Sequence, residues 1–349
     1  MTIGRTTNPH HLSCRVRLSA LPLLALLLVG CASNTKRANW EGPQVAQPVT
    51  FEAWKYHDEP GRTVKSAHYT IHTTITDTQL LTRLAQVMEG GLQQYERFTP
   101  GLPITNRPMD CFVFATRPQW MAFTKEHTGN DAVVYLKINR GGYTVRDWFV
   151  SYLLSDESTF AVAAHEGWHQ YVARHFKERL PPFLEEGIAT QFENMHWTGD
   201  LPRWNLSINA ARAQRLRQAI EGKYLWPLDQ LVTMHAGDVV GLSGERIEAF
   251  YAQNWAFVRF LWDADNGKYR QAFQQMLIDT ANGVSWKGDA SADTPPPRRT
   301  ILPTWDRSLV KPMLEHYFGA DLTTLDNAYR AYVHQIAFDR FNEQWKAGM

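Results

Sequence analysis

The chain has 349 residues, 44% hydrophobic and 20% charged, enough apolar material for a sizeable core in one large domain or two lobes and too much for wholesale disorder. A formal charge of +1 leaves no basic footprint of the kind that nucleic-acid binders carry, and no self-similar period marks a solenoid or propeller. Of the three cysteines, Cys14 and Cys31 fall near the start and only Cys111 lies in the body, so intramolecular disulfides are not expected.

Residues 1–30 carry Arg5, Arg15 and Arg17 and no acid, followed by an apolar run from Leu18 to Val29. The run is shorter than the roughly 20 residues of a spanning helix, so it reads as a signal peptide. It ends in Leu28-Val29-Gly30-Cys31, which resembles a bacterial lipobox. That resemblance implies a diacylglycerol on the Cys31 thiol, cleavage before it, and a lipid anchor in the cell envelope. By the same resemblance, Ala32 in place of Asp after the cysteine implies the outer over the inner membrane in a cell that has both, facing the periplasm. Loss of residues 1–30 removes three arginines and turns the formal charge from +1 to −2.

Residues 31–60 are polar, with Pro43, Pro48 and Pro60, and read as a tether. The stretch from Ser66 to Ile75 places Tyr69, Ile71 and Ile75 on one face, the period of a strand. Leu80, Leu81, Leu84, Val87, Met88, Leu92 and Tyr95 follow helical spacing, with Pro100-Gly101 just beyond the end. A second strand is expected at Asp110 to Ala115, with Cys111 as a buried strand residue, and a third at Ala132 to Ile138. This pattern predicts an α+β lobe. Beyond it, helices are expected at 159–176, 184–194, 207–220, 245–264, 268–280, 307–317 and 322–337, and Ala281 to Pro303 reads as a loop.

His165-Glu166-Gly167-Trp168-His169 carries the chemistry. Histidines four apart on a helix project from one face, about a turn apart, as two metal ligands. Glu166 lies at the edge of that face, where it reaches a metal-bound water without ligating and is the natural general base. A catalytic zinc takes three protein ligands and one open position, so a third ligand is needed. Downstream, Phe183-Leu184-Glu185-Glu186-Gly187 opens a new helix sixteen residues after His169.

These two segments together resemble the gluzincin, or peptidase MA-like, zinc metallopeptidases, in which a Leu-x-Glu-Gly helix follows the two-histidine helix. The resemblance implies Glu186 as the third ligand, with Glu185 as the other candidate, and a connection slightly shorter than in the aminopeptidase branch. Glu193, seven residues on, is either a hydrogen-bond partner of a ligating histidine or an ordinary surface glutamate. The resemblance also points to Tyr251, in Tyr251-Ala252-Gln253-Asn254-Trp255, as the donor to an oxyanion, against a plain core tyrosine. Tyr-Ala-Gln followed by a polar residue and an aromatic is similar to a motif of bacterial lipoproteins with a peptidase-MA-like domain. Thr116 to Trp120, Gly141-Gly142-Tyr143 and Tyr317-Phe318-Gly319 fit the same family, over most of residues 60–340. Asn139 to Thr144 falls where zincins place the edge strand that binds extended peptide, although a hairpin turn explains its glycines equally well.

The expected organisation is a signal at 1–30, a tether at 31–60 and a zincin-like domain at 61–340. That domain divides into an α+β lobe with the active-site helix (61–176) and a mainly helical lobe (177–340), with a cleft between them. The expected activity is Zn2+-dependent hydrolysis of a peptide or protein substrate by a membrane-anchored enzyme. The rival readings are a zinc-binding envelope scaffold without proteolysis and an amidase acting on peptidoglycan peptides.

Overall fold

Alternation of apolar residues along three short segments builds the centre of the protein. In the computed structural model, which describes residues 40–284 and 306–339, β1 (Thr50–Tyr56) and β2 (Glu59–Lys65) form a hairpin that continues into β3 (Tyr69–Thr73). Helix α1 (Thr78–Tyr95), capped by Asp77 through the backbone N–H groups of Gln79 and Leu80, crosses back to β4 (Met109–Phe114), parallel to β3. Helix α2 (Arg117–Thr128) and a helical turn α3 (Ala132–Tyr135) precede a second hairpin, β5 (Gly142–Val145) and β6 (Trp148–Tyr152). Strand β6 lies parallel to β4, which leaves β5 at the rim of a six-stranded mixed sheet of order β1-β2-β3-β4-β6-β5.

The sheet is covered on both faces. Tyr69, Ile71, Met109, Cys111, Val113 and Phe149 point into the main core with α1 and α4 (Asp156–His175). Phe114, Val150 and Tyr152 alternate to the other side and pack with Trp120 and Phe123 of α2. Cys111 is buried as expected, its thiol pushed up by burial.

The remainder is mainly helical: α5 (Pro182–Ala189), a small hairpin of β7 (Met195–Thr198) and β8 (Leu201–Trp204), α6 (Ala210–Glu221), and the short α7 (Leu228–Leu231) and α8 (Ala236–Val239). Helix α9 (Gly244–Gly267) runs through this half and breaks at Ala264 to Asn266, where the sequence spacing ends the helix. It is followed by α10 (Arg270–Asn282), α11 (Val310–Phe318) and α12 (Leu322–His334). The α+β class holds. No helix of the described residues is long and apolar enough to cross a membrane.

Several expectations are corrected. Residues 40–60 do not form a tether: Trp40 to Val49 lies on the domain, with Glu41 bridged to Trp204 in both directions at 2.8 and 2.7 Å and Gln47 paired with Gln86, and β1 and half of β2 follow. Pro60 is tolerated because β2 at that point pairs with β1 only; its pairing with β3 starts at Arg62. The apolar run Ala132 to Ile138 is not a strand but contains α3. Its β-branched Val133 and Val134 are 65% and 48% exposed, and the place beside β6 is taken by β5. Helix α2 was not expected, although Thr116 and Gln119 form a capping box with Pro118 in the first turn. The expected loop starts later than Ala281, because α10 ends at Asn282 on a left-handed Gly283. The signal segment, Cys31 and residues 285–303 of the expected loop lie outside the described residues.

Candidate metal centre

Helix α4 begins at Ser155, which caps the N–H of Ser158, with Asp156 and Glu157 in the first turn where the helix dipole favours acids. Two of its turns carry His165 and His169 on one face. Gly167, on the opposite side, has a packing role. A Cβ there would come within 2.5 Å of the Tyr95 hydroxyl, which donates to the Ala164 carbonyl at 2.6 Å and locks α1 to α4. Helix α5 starts on Pro182 and presents Glu185 and Glu186 to the histidines.

The nitrogens His165 Nε2 and His169 Nε2 lie 3.3 Å apart, and Glu186 Oε2 lies 3.2 Å from the first and 3.7 Å from the second. Zinc bonds of about 2.0–2.2 Å at tetrahedral angles put neighbouring ligand atoms about 3.3–3.6 Å apart, so the three donors have the spacing of one face of such a site. They form the one group of three or more possible ligands found among the described residues.

The other ring nitrogens fix the tautomers. His165 Nδ1 lies 3.0 Å from Glu193 Oε1, and His169 Nδ1 lies 2.9 Å from Glu185 Oε1. A carboxylate accepts, so each Nδ1 carries the proton and each Nε2 lone pair is turned to the common point. Glu186 Oε2 is buried there without a hydrogen-bond partner. An orphaned buried carboxylate oxygen facing two imidazole lone pairs is costly unless a cation sits between them. The residues fit a zinc-type ion.

The expected ligand set of His165, His169 and Glu186 is therefore brought together. Glu185 lies against Nδ1 of His169, not against the two Nε2 atoms. Glu193 reaches His165 from beyond α5, because the helix tightens into a 3-10 turn at Thr190–Phe192 and does not run on to 194. Arg212 of α6, not anticipated from the sequence, grips both oxygens of Glu193 and also holds Glu248 at 3.1 Å. Its only sequence signal is a charged residue at the inner edge of an amphipathic helix.

Electrostatics follow from this geometry. Burial pulls the His165 imidazole down, but the adjoining carboxylates of Glu186 and Glu193 outweigh it and raise it to about 9; His169 is raised in the same way by Glu186 and Glu185. Burial alone would raise Glu186 and Glu193, yet the adjoining histidines and Arg212 hold both well below the usual carboxylate range, Glu193 at about 2. Glu166 is buried and raised by that burial, and its Oε2 lies 3.0 Å from Thr144 Oγ1 on β5.

Tyr251 enters from α9. Gly187 permits this: a Cβ would sit 2.5 Å from the Asn254 carbonyl, so its absence lets α9 lie directly on α5. Gln191 Nε2 donates to the carbonyls of Gly187 and Trp255 and fixes the register. The Tyr251 ring then lies 6.3 Å from the His165 ring, with the Arg212 guanidinium 5.3 Å from its centre. Burial and the nearby Glu186 raise its hydroxyl well above 10, so it remains a proton donor. Two shallow pockets of about 300 and 340 Å³ meet at Ala161, Glu193 and Asn194, one turn before His165.

No protein-family model matches the sequence, and no curated protein matches it significantly.

Proposed function

We propose that the protein is a zincin-like metallopeptidase of the gluzincin type, with His165, His169 and Glu186 holding Zn2+. The observation that carries this reading is the convergence of two tautomer-fixed Nε2 lone pairs and an otherwise partnerless Glu186 oxygen, beside a buried carboxylate that is not among the ligands. When bound there, zinc lowers the pKa of water towards about 7 and polarises a substrate carbonyl.

The chain's own residues supply the rest. Glu166 takes the proton of the attacking water and returns it to the leaving amine. Tyr251, kept protonated by burial, donates to the oxygen that gains charge. The edge of β5, unpaired among the described residues and carrying Thr144 beside Glu166, gives an extended peptide a place to lie. The sequence around Cys31 adds a lipid anchor, and with it a peptide or protein substrate in the bacterial envelope.

The test is Glu166→Gln, with bound metal and hydrolysis of a peptide library measured on the same preparation. Full metal content with hydrolysis lost supports the reading; retained hydrolysis overturns it. Wild-type protein that binds no zinc overturns the site itself.

A further inference from the structure

Thr144 sits on β5, opposite Phe149 of β6, and its hydroxyl is placed against one residue only: Glu166, at 3.0 Å from Oε2 and 3.1 Å from the backbone carbonyl. A hydroxyl has a single proton to give, and both acceptors belong to the same residue. We propose that Thr144 is a positioning residue, which ties the Glu166 carboxylate to its own backbone and to the sheet and so holds the general base in its working rotamer. This rests on the reading of Glu166 given above.

Three observations carry the inference. The first is that a glutamate has three rotatable side-chain bonds, and a base that must meet a proton in a fixed place gains rate from having them set in advance. The threonine contact restrains them at one oxygen, Oε2, and leaves the other, Oε1, for the proton. The second is the rigidity of the support. Tyr143, next to Thr144, is buried, stacks on Tyr135 with ring centres 4.2 Å apart, and donates to Thr124 Oγ1 at 3.0 Å. Thr144 is therefore held by its pairing with β6 and by an anchored neighbour in the chain.

The third is the choice of chemistry. A lysine or arginine in this place would hold the carboxylate more strongly, but would add a positive charge beside a cation site and neutralise the base. A hydroxyl orients without charge. Glu166 is thus oriented from the sheet by β5, while Glu185 and Glu193 orient the two histidines.

The experiment compares Thr144→Val, which deletes the hydroxyl at constant shape, with Thr144→Ser, which keeps it, in metal-loaded full-length protein. Thr144→Val should lower kcat by about ten- to a hundredfold with KM, metal per chain and melting temperature unchanged, and Thr144→Ser should restore most of the loss. Crystal structures of the two variants give a readout independent of turnover: Glu166 should leave its rotamer in Thr144→Val and keep it in Thr144→Ser. An unchanged kcat and rotamer in Thr144→Val, or a loss that serine does not restore, overturns the inference. If Thr144→Val does not fold, Thr144→Ala is read in its place with the same outcomes. Glu166→Gln is assayed alongside: if it is inactive while Thr144→Val is fully active, only the role of Thr144 fails, whereas an active Glu166→Gln removes the role of Glu166 itself.

Discussion

Glu193 and Arg212 face each other in a two-pronged ion pair, Arg212 Nε on Oε2 at 2.9 Å and Nη2 on Oε1 at 2.8 Å, and the same Oε1 accepts the Nδ1 proton of His165 at 3.0 Å. The arginine thereby fixes the carboxylate that fixes His165, and α6 is coupled to α4 through a charge chain.

On the proposal that the site holds zinc, metal affinity depends on these partners as well as on the proposed ligands. Glu193→Ala and Glu185→Ala each release one imidazole from its carboxylate and should weaken zinc binding by about 10- to 100-fold, with His165→Ala weaker still. Competition against a chromophoric chelator measures this. Wild-type affinity in both glutamate variants would mean the imidazoles are oriented by packing alone.

Without metal, the site is held together by protons, and its pH dependence has two arms. His165, raised from 6.5 to about 9, stabilises the fold fully below pH 6.5 and loses that contribution as pH rises to about 9. Glu193, lowered from 4.5 to about 2, stabilises above pH 4.5 and loses its contribution as pH falls towards 2; Glu186 acts in the same direction. Metal-free protein should therefore be most stable between about pH 4.5 and 6.5, and the gain in melting temperature on adding zinc should grow from pH 6.5 to 9, since binding must displace the histidine protons. Thermal melts with chelator and with zinc across this range check it; a gain independent of pH would contradict it.

Gly167 and Tyr95 compete for one space. Gly167→Ala should destabilise by about 1–3 kcal/mol, because the new methyl meets the Tyr95 hydroxyl at 2.5 Å. Adding Tyr95→Phe should recover part of the loss by removing that oxygen, so the two changes are not additive. Urea unfolding of the single and double variants is the measurement, and additive losses would place the strain elsewhere.

Tyr251→Phe keeps the ring against His165 and Arg212 and removes only the hydroxyl. It should lower kcat by about 100-fold or more, with zinc content unchanged. An undiminished kcat would leave Tyr251 as a packing residue of α9.

By itself the sequence determined the features that local spacing dictates. Histidines four apart on a helix share a face wherever the helix goes, so His165 and His169 were legible as a pair, as were β3, α1, β4 and the C-terminal helices, whose apolar periods match their burial. Local propensity misled at Ala132 to Ile138, because a β-branched run becomes a strand only where a neighbour offers hydrogen bonds, and β5 fills that place. It misled again at residues 40–60, where prolines suggested a tether but long-range pairing to Trp204 and Gln86, and the hairpin of β1 with β2, add the segment to the fold. Only the tertiary structure shows that Glu186, and not its neighbour Glu185 on the same short helix, lies against the two Nε2 atoms. Which of them meets the two Nε2 atoms depends on the angle at which α5 crosses α4, and that angle is set by α9 lying on Gly187. Arg212 is 19 residues from Glu193 and Thr144 is 22 from Glu166, so no spacing rule connects either pair; packing of α6 and pairing of β5 brought them together.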